Sequence, residues 1–259
     1  MAKQEVENEI DELNSKNKVK NIAYFILLLI IVAITSGCLF APTFNIVSIV
    51  AESGENVSSQ EILDKAQISI GENIFRINDT KIKNSIEMLS YVRKAKIYRK
   101  LPNTIILKVE ERIPYANIKY LESFAITDKY GYVLEITGEN TKSDLPIIYG
   151  INSEDCKTGE KLSGNANLKY ENSVYLLEAA EKIGFKYKFS EINYDDSTNV
   201  KLYIKEKDID VVYGEIIIDN IEEKLGHLAS ILAKLGDKSG KIDMSNEDYL
   251  ARTVFIQSK

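Results

Sequence analysis

One stretch of this chain has no polar side. Residues 22–34 read Ile-Ala-Tyr-Phe-Ile-Leu-Leu-Leu-Ile-Ile-Val-Ala-Ile, Thr35-Ser36-Gly37-Cys38-Leu39-Phe40 follow, and no charge interrupts the run. About 20 residues at roughly 1.5 Å rise reach about 30 Å, the thickness of a bilayer's hydrocarbon core. A helix on a soluble core would show a polar stripe. The pattern therefore predicts a transmembrane helix over 22–41, after a short charged tail over 1–21. Lys16, Lys18 and Lys20 precede the run closely, and residues 41–51 carry no Lys or Arg. Positive-inside bias then predicts a cytoplasmic N-terminus in a plasma membrane, with the bulk of the chain outside. Two alternatives stay open: a cleaved signal peptide, and lipid attachment at Cys38 through a weak lipobox at Thr35-Ser36-Gly37-Cys38.

Beyond the span the pattern breaks into short alternating elements. Residues 44–50 read as a strand. Ser58 and Glu61 form a capping box, in which the serine oxygen accepts a helix-start N–H while the carboxylate reaches back. Ile62, Leu63 and Ala66 give that helix its apolar face. A connector, Gly71-Glu72-Asn73-Ile74-Phe75, leads to a second helix from Asn78 or Asp79, where Ile82, Ile86 and Leu89 recur at helical spacing. Residues 92–99 form a strand, Leu101-Pro102-Asn103 a turn, and Ile105, Leu107 and Val109 a further strand. The order strand, helix, helix, strand, strand makes a small α/β module over 42–113. Pro114 cannot donate to a ladder and marks a joint.

Residues 114–259 read as a second, β-rich domain with flanking helices. Strands are expected near 116–121, 125–127, 132–134, 188–194, 200–205, 209–212, 241–244 and 252–256. Asp128-Lys129-Tyr130-Gly131 is a turn, 137–144 a polar loop, and one helix covers 165–183. The best amphipathic helix covers 219–235, with Ile221, Leu225, Leu228, Leu232 and Leu235 as its stripe. Asp219 with Glu222 is expected to cap it, and Gly236 to end it.

Composition adds limits. The chain has 259 residues, a formal charge of −6 and 44% hydrophobic content, enough for a packed core in two modest domains. It carries no basic block of the kind used on nucleic acid. Its two cysteines, Cys38 and Cys156, lie far apart and no disulfide between them is expected. The single histidine, His227, falls off the apolar stripe and is read as solvent-facing. No nucleophile elbow, zinc-protease or phosphate-loop motif is present. Asp195-Asp196-Ser197-Thr198-Asn199 lacks the glycine and closing glutamate of a calcium loop and reads as a turn. No catalytic residue, metal or cofactor is expected. Arg112, beside Glu110 and Glu111, reads as a solvated charge cluster, with a partner contact as the sharper alternative.

The ordered set of short motifs resembles the DivIB/FtsQ family of bacterial cell-division proteins, with a POTRA-like module after the span. Phe44-x-Ile46-x-x-Ile49, Ser58-x-x-Glu61-Ile62, Gly71-Glu72-Asn73-Ile74-Phe75, the stretch from Val92 to Thr104, Val109-Glu110-Glu111-Arg112-x-Pro114-x-Ala116, Asp128-x-x-Gly131-x-Val133-Leu134 and Leu145-Pro146-x-Ile148-x-Gly150 carry it. One residue more than usual falls at Ala51-Glu52-Ser53-Gly54, and Ser245 stands where a basic residue would be expected. The resemblance implies an α+β protein: a non-catalytic, single-pass scaffold of the divisome at the septum. Its partners would be small bitopic proteins of the DivIC/FtsB and FtsL types, and through them it would help control septal peptidoglycan synthases. The family places its partner site late in the β domain, which here points to Tyr249, Arg252, Thr253, Val254 and Phe255. The POTRA-like face from Tyr91 to Arg99 is a second candidate surface. A POTRA-bearing export or envelope-assembly factor and an exported cell-wall enzyme are the alternatives.

Overall fold

The structure is a computed structural model and describes residues 2–52, 54–120, 122–138, 144–152 and 156–258; side chains are described from residue 17 onward, that of Tyr120 excepted. Ser53, Leu121 and most of the expected polar loop, residues 139–143, lie outside these. The chain divides into two compact units, Met1–Ile86 with Lys94–Val109, and Glu87–Arg93 with Glu110–Lys259.

The first unit opens with α1 (Ala2–Phe40), longer than the apolar run alone. The preceding tail has no Gly or Pro and is rich in Glu and Lys, so nothing breaks the helix there. Asn17–Phe40, 24 residues, is long and apolar enough to cross a membrane. Thr35 is one of the few polar residues in this run. Its hydroxyl lies 2.9 Å from the Ile31 carbonyl and 3.0 Å from that of Val32, so it is satisfied within the helix. The helix continues unbroken through Cys38, and both cysteines are free thiols.

A 3₁₀ turn, Pro42–Phe44, follows, and strand β1 begins only at Ser48 (Ser48–Glu52). The expected strand start at Phe44 is displaced because the chain there bonds to loops. Ile74 N–H donates to the Phe44 carbonyl and Ile46 N–H to that of Glu72, each at 2.8 Å, and Val47 N–H donates to the Asn103 carbonyl. Helices α2 (Ser59–Ala66) and α3 (Asp79–Ile86) then lead to strands β2 (Val92–Lys100) and β3 (Thr104–Glu111). The sheet order is β1-β3-β2, with β1 parallel to β3. Both helices and β2 lie between those two strands in the chain, which is the long connection that a parallel pair needs. Ile62, Ala66, Ile82 and Ile86 of the helices and Ile105 and Leu107 of β3 are all buried. Leu89, read as the helix's third apolar position, lies beyond its end at Ile86.

The capping box forms as expected. Ser58 Oγ accepts from Glu61 N–H, and the Glu61 carboxylate accepts from both the N–H and the hydroxyl of Ser58. The Ser58 hydroxyl, then its N–H, holds the Glu61 carboxyl below its ordinary value. A carboxyl depressed in the folded state stabilises above its unfolded pKa, and the effect is lost as pH falls through the folded value. Ser58→Ala is therefore expected to lower the urea midpoint near neutral pH, with the deficit shrinking in acid.

Among the described residues, the second unit forms a nine-stranded mixed sheet in the order β12-β11-β10-β9-β8-β7-β4-β5-β6. Its strands are β4 (Pro114–Tyr120), β5 (Ser123–Asp128), β6 (Val133–Thr137), β7 (Ile147–Tyr149), β8 (Glu191–Asn193), β9 (Val200–Ile204), β10 (Ile209–Gly214), β11 (Gly240–Asp243) and β12 (Val254–Gln257). Helices α4 (Gly164–Lys182) and α5 (Ile221–Leu235) share one core with it, formed by Ile118, Ile148, Leu202, Ile204, Val211, Leu176, Leu225, Leu228 and Leu232 among others. The α5 stripe is as predicted, and Gly236 ends the helix. Its start differs: Asn220 is the N-cap without a side-chain bond, and Asp219 sits inside a 3₁₀ turn, Ile218–Asn220.

Two of the family-like motifs acquire physical reasons. Gly150 has φ +77°, and a Cβ there would lie 2.4 Å from the Tyr194 carbonyl carbon. Lys169 of α4 reaches the Gly150 carbonyl at 2.6 Å and that of Tyr194 at 3.3 Å, closing the ends of parallel strands β7 and β8. Arg112 is not a solvated charge. Its guanidinium donates to Asp128 Oδ2 at 2.8 Å, and the side chains are only 13% and 3% exposed. It also stacks on Tyr132, 3.6 Å from the ring centroid. Asp128 Oδ1 accepts from the Tyr130 and Tyr132 N–H groups, each at 2.9 Å, which builds the Asp128–Gly131 turn. The Asp128 carbonyl accepts from the fully buried Tyr170 hydroxyl at 2.7 Å.

Candidate partner-binding edge

Residues 243–253 lead to the last strand through a series of side-chain-built turns. Ser245 N–H and its hydroxyl both donate to Asp243 Oδ1, at 3.1 and 2.7 Å. The Ser245 hydroxyl is the main cause that holds the Asp243 carboxyl below its ordinary value. Asp248 N–H donates to Asn246 Oδ1 at 2.9 Å. A one-turn helix, α6 (Tyr249–Arg252), follows, and Thr253 closes it by donating its hydroxyl to the Tyr249 carbonyl at 2.6 Å. Tyr249 and Arg252 thus sit on a helix rather than in a strand, because these side-chain bonds satisfy the backbone locally.

Tyr249 is buried and acts as the anchor of α6. Its ring lies 5.9 Å from that of His227, and the Lys224 ammonium is 5.2 Å from its centroid and 4.4 Å from that of Tyr213. Burial holds Lys224 below its ordinary pKa and pushes Tyr213 and Tyr249 up. His227 is half-buried beneath α6, with Nε2 3.4 Å from the Thr253 hydroxyl. The expected solvent-facing histidine is corrected on this point: the helix face it occupies is covered by a later segment.

β12 is the terminal strand of the sheet. It pairs antiparallel with β11, in the register Asp243↔Val254, Ile242↔Phe255, Lys241↔Ile256 and Gly240↔Gln257. No strand among the described residues pairs with its other side. Alternation along the strand sends Phe255 inward against the core. Val254 and Ile256 point outward and are 53% and 61% exposed. Of the five residues expected to form the site, Val254 and Phe255 lie on the edge, Thr253 is its hinge and Arg252 is exposed beside it. Tyr249 lies beneath. Ile256 belongs to the edge and was missed, although it stands two residues from Val254. Gly240 was missed as well. A Cβ there would lie 2.2 Å from the Ile256 carbonyl oxygen, so β12 can lie this close only over a glycine.

The opposite end of the sheet is different. The start of β6 is already bonded by the chain itself: Val133 N–H donates to the Glu160 carbonyl at 2.9 Å, and Gly159 N–H to that of Val133 at 2.8 Å.

Comparison with known proteins agrees with this architecture. The family model "POTRA domain, FtsQ-type" matches residues 44–112, and "Cell division protein FtsQ/DivIB, C-terminal" matches residues 117–245. The cell division protein DivIB of Clostridium acetobutylicum is 30% identical over 80% of this chain and 82% of its own. This chain belongs to the DivIB/FtsQ family of cell-division proteins. The DivIB of Clostridium botulinum strain Hall is also 30% identical, over 94% of this chain and 93% of its own. That of Clostridium tetani is 29% identical over 85% and 83%. As a DivIB/FtsQ protein the chain has a divisome role. The α6–β12 segment lies beyond the residues that the C-terminal family model matches.

Proposed function

We propose that this DivIB/FtsQ protein is a non-catalytic scaffold, anchored by α1 in the plasma membrane with its N-terminus inside, that takes a strand of a small bitopic division protein onto β12. The supporting observation is the open edge itself. β12 ends the sheet, and its outward side chains, Val254 and Ile256, are apolar and exposed. An unpaired edge of this kind is the template for strand addition: main-chain hydrogen bonds hold the guest, and alternate side chains select it. Partners of the DivIC/FtsB and FtsL types fit, since each is fixed in the same membrane. Co-anchoring raises the effective concentration of a weak edge contact. Through that complex the protein would act on septal peptidoglycan synthesis.

The test separates edge from core. Val254→Asp with Ile256→Asp alters only outward positions, so the fold should survive, as circular dichroism can verify. Co-purification of the small bitopic partner is expected to fall by at least about tenfold, the equivalent of about 1.4 kcal/mol. Undiminished recovery with a folded double variant would remove β12 from consideration. Phe255→Asp is the weaker probe, because Phe255 also packs on the core.

A further inference from the structure

The end of the first unit from which α1 emerges has an unusual surface. Segment 44–47 runs directly from the helix and is bonded on one side to loop 71–74 and on the other to the turn at Asn103. Both neighbours therefore lie around the helix exit. Each presents an exposed apolar side chain: Ile70 beside the first, Leu101 in the second, and Val47 on the segment between them. Phe40, the last helical residue, is exposed too, and the Arg76 guanidinium lies 4.5 Å from its ring centroid.

The join is built, not loose. A helix leaves its final carbonyls without intrahelical partners. Here Asn73 Nδ2 donates to the Cys38 carbonyl at 3.1 Å, while Asn73 Oδ1 accepts from Phe75 N–H at 3.0 Å. Asn73 is itself buried. The asparagine of the Gly71-x-Asn73 connector thus ties the body of the unit to the last turn of α1. Three residues separate Phe40 from Phe44, so the apolar side chains cannot lie far from whatever surrounds the end of that helix.

We propose that this end of the unit docks on the bilayer that α1 crosses, with Val47, Ile70 and Leu101 seated at the boundary between headgroups and acyl chains. Exposed aliphatic side chains beside exposed cations suit that boundary, where the apolar part inserts shallowly and Arg76 and Lys100 meet lipid phosphates. Glu72 is exposed in the same loop, so net charge is not what selects the surface. The apolar side chains and their continuity with the span select it. The proposal rests on α1 crossing the membrane.

The experiment uses the full chain, with Cys38→Ser and Cys156→Ala as background, in nanodiscs of phosphatidylethanolamine and phosphatidylglycerol. Single cysteines at Ile70→Cys, Leu101→Cys or Val47→Cys carry an NBD fluorophore, and a share of the lipid carries a nitroxide near the headgroup. Lys65→Cys on α2 is the exposed control, and Leu29→Cys reports on α1. Circular dichroism verifies folding, and three collar positions guard against one local failure. The collar labels are expected to be quenched at least about threefold more than the Lys65 label. Equal quenching at the collar and at Lys65, whether absent or present in both, overturns the docking of this end. Absence of quenching at Leu29 would instead overturn the membrane reading of α1, and the docking with it.

Discussion

Arg112→Ala is expected to destabilise the second unit by about 3–5 kcal/mol, measured by urea unfolding. The chain has 15 tyrosines and no tryptophan, so tyrosine emission or circular dichroism is the signal. The cost arises from what is left behind. Asp128 stays buried, with one oxygen held by two backbone N–H groups and the other stripped of its guanidinium. Surface ion pairs seldom exceed about 1 kcal/mol, so the burial of both partners decides the outcome. Arg112→Lys keeps the charge but loses the planar stack on Tyr132, and an intermediate loss is expected. Combining Arg112→Met with Asp128→Asn should cost less than Arg112→Ala alone. Asn keeps an oxygen for the two N–H groups, and no charge remains buried. A change within about 0.5 kcal/mol for Arg112→Ala would mean that the pair is solvated after all.

Gly240→Val is expected to detach β12 while leaving every edge side chain unchanged. The glycine has φ +152°, which L-residues rarely adopt, and its missing Cβ is where the Ile256 carbonyl oxygen and Gln257 Cα approach, at 2.2 and 3.0 Å. Both contacts are backbone, so no side-chain rotation relieves them. β11 should keep its pairing with β10, because that ladder runs on its other side. Hydrogen exchange should therefore rise at β12 and on the β12-facing amides of β11, with β10 protected as before. Partner co-purification should fall at least as far as with the Val254 and Ile256 double variant. Retained protection on β12 would show that the strand tolerates the Cβ, and the steric reading would fail.

What could be read from the sequence was local. Ser58 and Glu61 are three residues apart, and the capping box they predict is there. Val200, Leu202 and Ile204 alternate, and the α5 stripe repeats at helical period, so both elements follow from short windows. The errors share a different cause. Arg112 finds Asp128 across sixteen positions, and no pattern near Arg112 announces it. His227 was placed correctly on the helix, away from Leu225, yet α6 covers that face. α6 has four residues, too few for any periodicity to register, and it is held by side-chain bonds from Thr253 and Asn246. Part of the candidate edge was legible as an alternating strand. Which of its faces is outward, and that Tyr249 lies beneath it, depended on where β11 and α5 bring their own residues.

The unequal ends of the nine-stranded sheet bear on counting. One terminus is engaged at its start, around Val133, by the chain's own 159–162 segment, and the other ends at β12. If β12 receives the partner, each copy has a valence of one. Titration should then saturate at a single strand per copy. Two copies joined through their β12 edges would be closed to the partner, so self-association and recruitment become competing states of the same surface.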